Sequence, residues 1–317
     1  MLQNLGDILI TIYKILWKEG GFLEQRRTDL ALEAHALWRA AAKNESIDGL
    51  RVTECCRRGC GVTTVRVESE TAARALGKPR GTYVTLDLRA CRTRTRWLDG
   101  AAGVLGAELR ALLPCGVQRV LVVGLGNRAM TPDAVGPRST DHILVTRHLA
   151  ADESFSALSA VSVLTPNVLG RTGVEAAELV RAAAQTVQPE VIVAVDALCA
   201  QRLGRVCTTV QLSDAGIVPG SGVGNHRLAL TRETLGVPVV AVGVPTVVDA
   251  ATLARDVLEE AGAPELEPEA LRGHRSVTVT TRDIDAQVED LARLVGFGID
   301  LALQPALSLA DVRALAE

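Results

Sequence analysis

Aromatic side chains are scarce in this 317-residue chain, at 3%. So small a supply argues against a surface that holds nucleic acid by stacking bases on rings. Neither sign of charge dominates: 34 Lys and Arg stand against 37 Asp and Glu, a formal net charge of -3. Direct nucleic-acid or membrane-surface binding needs a stronger basic field than that. There is no G-x-S-x-G elbow for a nucleophilic serine and no H-E-x-x-H pair for a zinc hydrolase. The seven cysteines are odd in number and follow no disulfide framework. A structural zinc would require a second pair beyond Cys56 and Cys60 in CCRRGC. Reduced thiols of a cytoplasmic protein are the expectation, and no role is assigned to Cys55, Cys56 and Cys60.

Long hydrophobic runs are missing too. The N-terminal MLQNLGDILITIYKILWKEGGF is interrupted by Asp7 and Lys14. It lacks the basic flank and cleavage site of an export signal and falls short of the ~20 apolar residues of a membrane span. Leu5, Ile8, Ile12, Ile15 and Leu16 recur at helical spacing, so the segment is expected to be an amphipathic helix packing on protein.

What the chain has in quantity is Leu, Val and Ala, within 48% hydrophobic residues, enough for a large core. Arg119–Gly124, Val161–Leu164, Val191–Asp196 and Val237–Val244 read as buried strands. Asp141–Ala150 and Gly173–Val187 between them have helical spacing, and Arg282–Leu303 reads as a long helix. Thr63–Arg89 reads as additional β structure around the turn signal GKPRG, and Glu259–Glu269 as an acidic surface loop. The fold class expected is α/β, a three-layer sandwich with a mostly parallel or mixed sheet between helices. One domain over residues 30–317 carries an appendage over residues 1–29.

Chemistry in such sheets gathers at the carboxyl ends of the strands. The stretch VLVVGLGNRAMTPDAVGP, Val120–Pro137, ends a strand in a glycine turn, and Gly124, Gly126 and Ala129 satisfy a dinucleotide fingerprint. Pro132 disrupts the helix that fingerprint requires, and VSVLTPN brings no acidic ribose ligand. The other use of the loop is to deliver Asp133, although a first-turn helix charge reads the same. Asp196, after VIVAV, is harder to accommodate, because an unpaired carboxylate in a dry strand ionises only at high cost. Were the two strands adjacent, Asp133 and Asp196 would compete for one proton. That gives an ionised base to activate water and a protonated acid to donate to the substrate carbonyl or amine, which suits amide hydrolysis.

GLGNRAMTPDAVGP, TRHL, VDALCAQRLGRV, SDAGIVPGSGVGNHR and LGVPVVAVGVPTVVDA, with GKPRGTYVTL and TTRDID, occur in consistent order from about Arg27 to Leu303. In these motifs the chain closely resembles the germination protease family, the spore proteases of endospore-forming bacteria. The resemblance implies an atypical aspartic endopeptidase that degrades small acid-soluble spore proteins, distantly similar in fold to hydrogenase maturation proteases. It places the essential aspartates at Asp133 and Asp196 and implies a homotetramer in the cytoplasm of the forespore or spore core. No cofactor is expected. The maturation proteases bind nickel with carboxylates and a histidine that has no counterpart assigned here, so no metal is expected either. It further implies a zymogen that cuts itself, and Thr28-Asp29-Leu30-Ala31-Leu32-Glu33 resembles the family's cleavage context, with the cut between Asp29 and Leu30. A helix start capped by Thr28 reads the same.

Supporting roles are open. Gly220, Ser221 and Gly222, in the glycine-rich Asp214–Arg227, could clamp an extended substrate, or form a structural loop. Asp214 opens that loop. Asp249 could flank the site or cap a helix, and Asn127 could orient a carboxylate through its side chain or complete the turn. His142 and His148 are expected on a helix, away from the chemistry. The alternatives carried forward are a nickel-dependent hydrogenase maturation-type protease and a nucleotide-binding protein using Gly124–Ala129.

Overall fold

The valine-rich runs become the middle of a sheet because both of their faces are covered. The computed structural model describes residues 28–41, 46–220, 227–263 and 277–316. In chain order it begins with α1 (Ala31–Ala41), β1 (Leu50–Arg57), β2 (Cys60–Val67), α2 (Glu70–Leu76), β3 (Gly81–Asp87) and α3 (Trp97–Leu112). There follow β4 (Arg119–Gly124), α4 (Val135–Ser139), β5 (Ala160–Leu164), α5 (Leu169–Thr172), α6 (Ala176–Val187), β6 (Val191–Ala200) and β7 (Thr209–Ser213). The chain continues through α7 (Arg232–Leu235), β8 (Val239–Asp249), α8 (Ala250–Glu260), β9 (Thr278–Val279), α9 (Ile284–Leu303) and α10 (Leu309–Ala316).

The nine strands form one sheet in the order β1-β2-β3-β7-β8-β6-β4-β5, with β9 beside β8. The ladders β5–β4, β4–β6 and β6–β8 are parallel, while β1 through β3, β7 and β9 pair antiparallel. Alternation along the strands assigns the two faces. Val120, Val122, Val191, Val193 and Val195 pack in the core that holds Leu105 and Leu109 of α3 and Leu291 and Leu294 of α9. Leu121, Val123, Ile192 and Ala194 pack with Ala177 and Val180 of α6 and Leu235 of α7. The expected α/β sandwich and its β-rich extension are therefore both present.

Several local expectations change. Asp141–Ala150 is not a helix: it forms the 3-10 turns Thr140–His142 and Arg147–Leu149. Its backbone amides go to tertiary partners, Leu144 to the buried Asp300 carboxylate at 3.1 Å and Thr146 to the carbonyl of Val161 at 3.1 Å. The Thr63–Arg89 region contains α2, capped by Ser69 and ended by Gly77 in the left-handed conformation, ahead of the GKPRG turn. Glu259 and Glu260 complete α8, and residues 264–269 of the acidic loop lie outside the described residues. So do residues 1–27, including the amphipathic N-terminal stretch. In CCRRGC, Arg58 and Gly59, both at positive φ, turn β1 into β2. All seven cysteines are free thiols. Among the described residues no helix is long and apolar enough to cross a membrane.

Candidate active site

The site arises where one strand stops and its neighbour continues. β4 ends at Gly124, opposite Val195 of β6, whereas β6 runs on against β8 to Ala200. Asp196 is thus not the end of its strand, as the sequence implied. It lies inside β6, one residue beyond the last pair with β4. Its side chain is shielded from water, and the residue is only 4% exposed.

The loop leaving β4 brings the second carboxylate back. The amide of Leu125 donates to the carbonyl of Val195 at 2.8 Å, which stitches the loop to β6. Gly126 then adopts φ +113°, a conformation suited to glycine, and a Cβ there would lie 2.1 Å from the backbone oxygen of Asp133. The chain closes in a 3-10 turn, Thr131–Asp133. Thr246 of β8 donates to the Pro132 carbonyl at 2.6 Å, and Thr131 donates to Asp285 of α9 at 2.7 Å. Gly126→Ala should therefore displace Asp133 and destabilise the fold by about 2–4 kcal/mol, combining backbone strain with overpacking. Denaturant unfolding together with a proteolysis assay checks both effects.

Asp133 and Asp196 line one cavity of about 330 Å³. Burial pushes the Asp133 carboxyl up, against the backbone N–H of Asn127, which donates to Oδ2 at 2.8 Å, and the charge of Arg227. Asp196 is raised well above the usual carboxylate range by burial first and the Asp133 charge second. The amide of Ala197, 2.9 Å from its Oδ1, opposes the rise. The charge of Asp133 thus adds to burial in favouring the protonated form of Asp196. Asn127 acts through its main chain; its side-chain Oδ1 accepts from the Ala129 amide and completes the turn. These internal bonds commit the Gly124–Ala129 loop to Asp133, which removes the structural basis for the dinucleotide reading.

Other expected site residues divide. Gly220 lines the cavity, while Ser221 and Gly222 lie outside the described residues. Asp214 is exposed and bonds the amide of Thr82 at 2.6 Å, so it braces β3 and β7 and does not line the crevice. Asp249 caps α8, accepting from the amide of Thr252 at 3.0 Å, and is likewise absent from the lining. His142 packs by Glu289 of α9 and His148 is exposed; neither lines the cavity. Among the described residues no three His, Cys, Asp or Glu side chains are grouped as metal ligands.

Asp29 does reach the cavity. Its amide donates to the Cys199 carbonyl at 2.9 Å, and its Oδ2 accepts from the Cys199 amide at 2.8 Å. Leu30 is fully buried. Cys199 also lines the cavity, but burial pushes its thiol up to about 12, so it is no ready nucleophile. Arg227 is a contributor that sequence reasoning missed. It closes the glycine-rich loop, and an arginine there carries no local sign that it will face two carboxylates.

Comparison with known proteins bears on this arrangement. Residues 28–261 match the family described as germination protease. The chain belongs to the germination protease family. The germination protease of Caldanaerobacter subterraneus subsp. tengcongensis is 40% identical, over 91% of this chain and 97% of the relative. That of Clostridium perfringens is 36% identical over 90% of this chain and 97% of the relative. That of Bacillus cytotoxicus is 40% identical over 74% of this chain and 66% of the relative. The chain is accordingly a peptidase, and the nucleotide-binding alternative is set aside. A solved [NiFe] hydrogenase maturation protease from Thermococcus kodakarensis aligns over 61% of this chain and 99% of its own, at 18% identity and a TM-score of 0.34.

Proposed function

We propose that this germination protease homologue is an aspartic-type endopeptidase whose Asp133 and Asp196 share one proton and cut the bond between an acidic and an apolar residue. The observation that carries the reading is the burial of both carboxyls in one cavity, with the charge of Asp133 raising Asp196. Asp196, the more deeply buried, holds the proton. Asp133, kept nearer ionisation by the Asn127 amide and Arg227, takes a proton from water as the water attacks the carbonyl carbon. The proton of Asp196 passes to the leaving nitrogen as the C–N bond breaks. Met130, Leu169 and Leu198 give the cavity an apolar wall suited to the residue after the cut.

The substrates are small acid-soluble spore proteins, met in the cytoplasm of the forespore or spore core. The chain is made as a zymogen, and the cut between Asp29 and Leu30 removes the appendage. The place of Asp29 in the cavity supports that cut. A homotetramer is the assembly, and a four-chain mass by light scattering is its check. The test of the function is to incubate the purified chain with a TEFASE peptide and locate the cut by mass spectrometry. Cleavage between Glu and Phe is expected; an intact peptide, or cleavage elsewhere, defeats the proposal.

A further inference from the structure

The carbonyl of Asp29 is held by more than a loop residue needs. Its oxygen accepts from Lys78 Nζ at 3.0 Å and from Gln211 Nε2 at 3.1 Å. Lys78 also donates to the carbonyl of Thr28 at 3.1 Å. Gln211 is fixed by its other end, where Oε1 accepts from the amide of Ala31 at 2.7 Å, so its donor is aimed at Asp29. Both donors are supplied by the antiparallel half of the sheet, Lys78 from the turn before β3 and Gln211 from β7. The two catalytic carboxyls come from the parallel half.

We infer that Lys78 and Gln211 are the electrophilic pair for cleavage of the Asp29–Leu30 bond, stabilising the negative charge that develops on the Asp29 carbonyl oxygen. The inference rests on the self-cleavage reading given above. Hydrolysis of an amide needs two poles, one to deliver water and one to receive the carbonyl electrons. Asp133 and Asp196 provide the first. A positive ammonium and an oriented amide in a place sheltered from water provide the second, where they act far more strongly than in solvent.

The bond is clamped on both sides of these donors. Cys199 holds Asp29 by its amide and its carboxylate, and burial fixes Leu30. Asp29 faces the cavity of the aspartate pair, and its charge contributes to raising Asp196. Burial lowers Lys78 from its ordinary value, and the charges of Asp29 and Glu33 counter that shift and favour the ammonium.

The electron count closes. Water adds its lone pair to the carbonyl carbon and gives one proton to Asp133. The C=O π pair moves to the oxygen that Lys78 and Gln211 hold. On collapse that pair re-forms the double bond, the C–N bond breaks, and Asp196 protonates the Leu30 nitrogen. The new carboxyl then gives its proton to the new amine. One proton remains on the aspartate pair, as at the start.

The test follows conversion of the full-length chain at Asp29–Leu30 by mass spectrometry for the wild type and for Lys78→Met, Lys78→Arg and Gln211→Leu. Removing one such donor lowers the rate by about 10²-fold. Lys78→Met and Gln211→Leu should slow processing on that scale, and Lys78→Arg should recover part of the loss by restoring a cationic donor. A purely structural role would not rank the variants by donor charge. Thermal unfolding identifies any variant that fails to fold; if Lys78→Met does, Gln211→Leu decides. Folded variants that process within about threefold of wild type, beside a wild-type chain cut at Asp29–Leu30, overturn this assignment alone. A wild-type chain that is not cut there overturns the self-cleavage reading beneath it, and the assignment with it.

Discussion

Asp133→Asn and Asp196→Asn should each lower proteolysis by about 10⁴-fold, the scale seen when one member of a catalytic unit is removed. An asparagine at position 133 cannot take a proton from water, and one at position 196 cannot give one to the leaving nitrogen. Both changes preserve shape, so the fold should survive. For Asp196 stability should rise, and the sign can be worked out. The carboxyl has an ordinary value of 3.8 and is raised well above it in the folded protein, chiefly by burial. Below the ordinary value both folded and unfolded chains hold the proton. As pH climbs from there toward the folded value, the unfolded chain releases its proton first and stability is lost. Asparagine escapes that loss. Asp196→Asn should melt higher than the wild type near neutrality, with the gain vanishing at acid pH. A lower melting temperature at pH 7, or retained peptidase activity in both variants, would remove the proton-sharing pair as the centre of the mechanism.

The second large effect is on pH. On the proposed mechanism activity requires one proton on the pair, so both the fully protonated and the fully ionised forms should be silent. Asp133 and Asp196 are both raised, the first by burial and the second by burial reinforced by the neighbouring charge. The working range is therefore displaced upward from that of free carboxylates. Above the upper apparent value the rate should fall about tenfold per pH unit as the last proton leaves. The profile of kcat/KM on a TEFASE peptide should be bell-shaped. Arg227→Gln should move its acidic limb to higher pH, because the charge of Arg227 favours ionisation of both carboxyls. A profile flat from pH 5 to 8 would contradict the scheme.

Sequence and structure agree most closely where the signal is local and strong. VLVVG and VIVAV had to be buried strands, and a carboxylate directly after the latter demanded an explanation. The sequence did not disclose that β6 continues past Asp196, since only pairing with β8 decides where the strand ends. Asp249 stayed open in the sequence because an acid after an apolar strand looks alike whether it faces a crevice or caps a helix, and the structure shows the cap. In Asp141–Ala150 helical spacing lost to tertiary partners for its amides, among them the buried Asp300. Lys78 and Gln211 gave no warning, because the segments that bring Gln211 to Asp29 lie 182 residues apart.

The position of Asp196 within a paired strand has a consequence for control. A side chain on a hinge could be swung out of use, but Asp196 is braced by the ladder from β6 to β8, which continues on both sides of it. Withdrawing it would mean unzipping the centre of the sheet. On the proposed mechanism, regulation of cutting is then left to admission: the blade stays fixed, and what changes is who is let through the door.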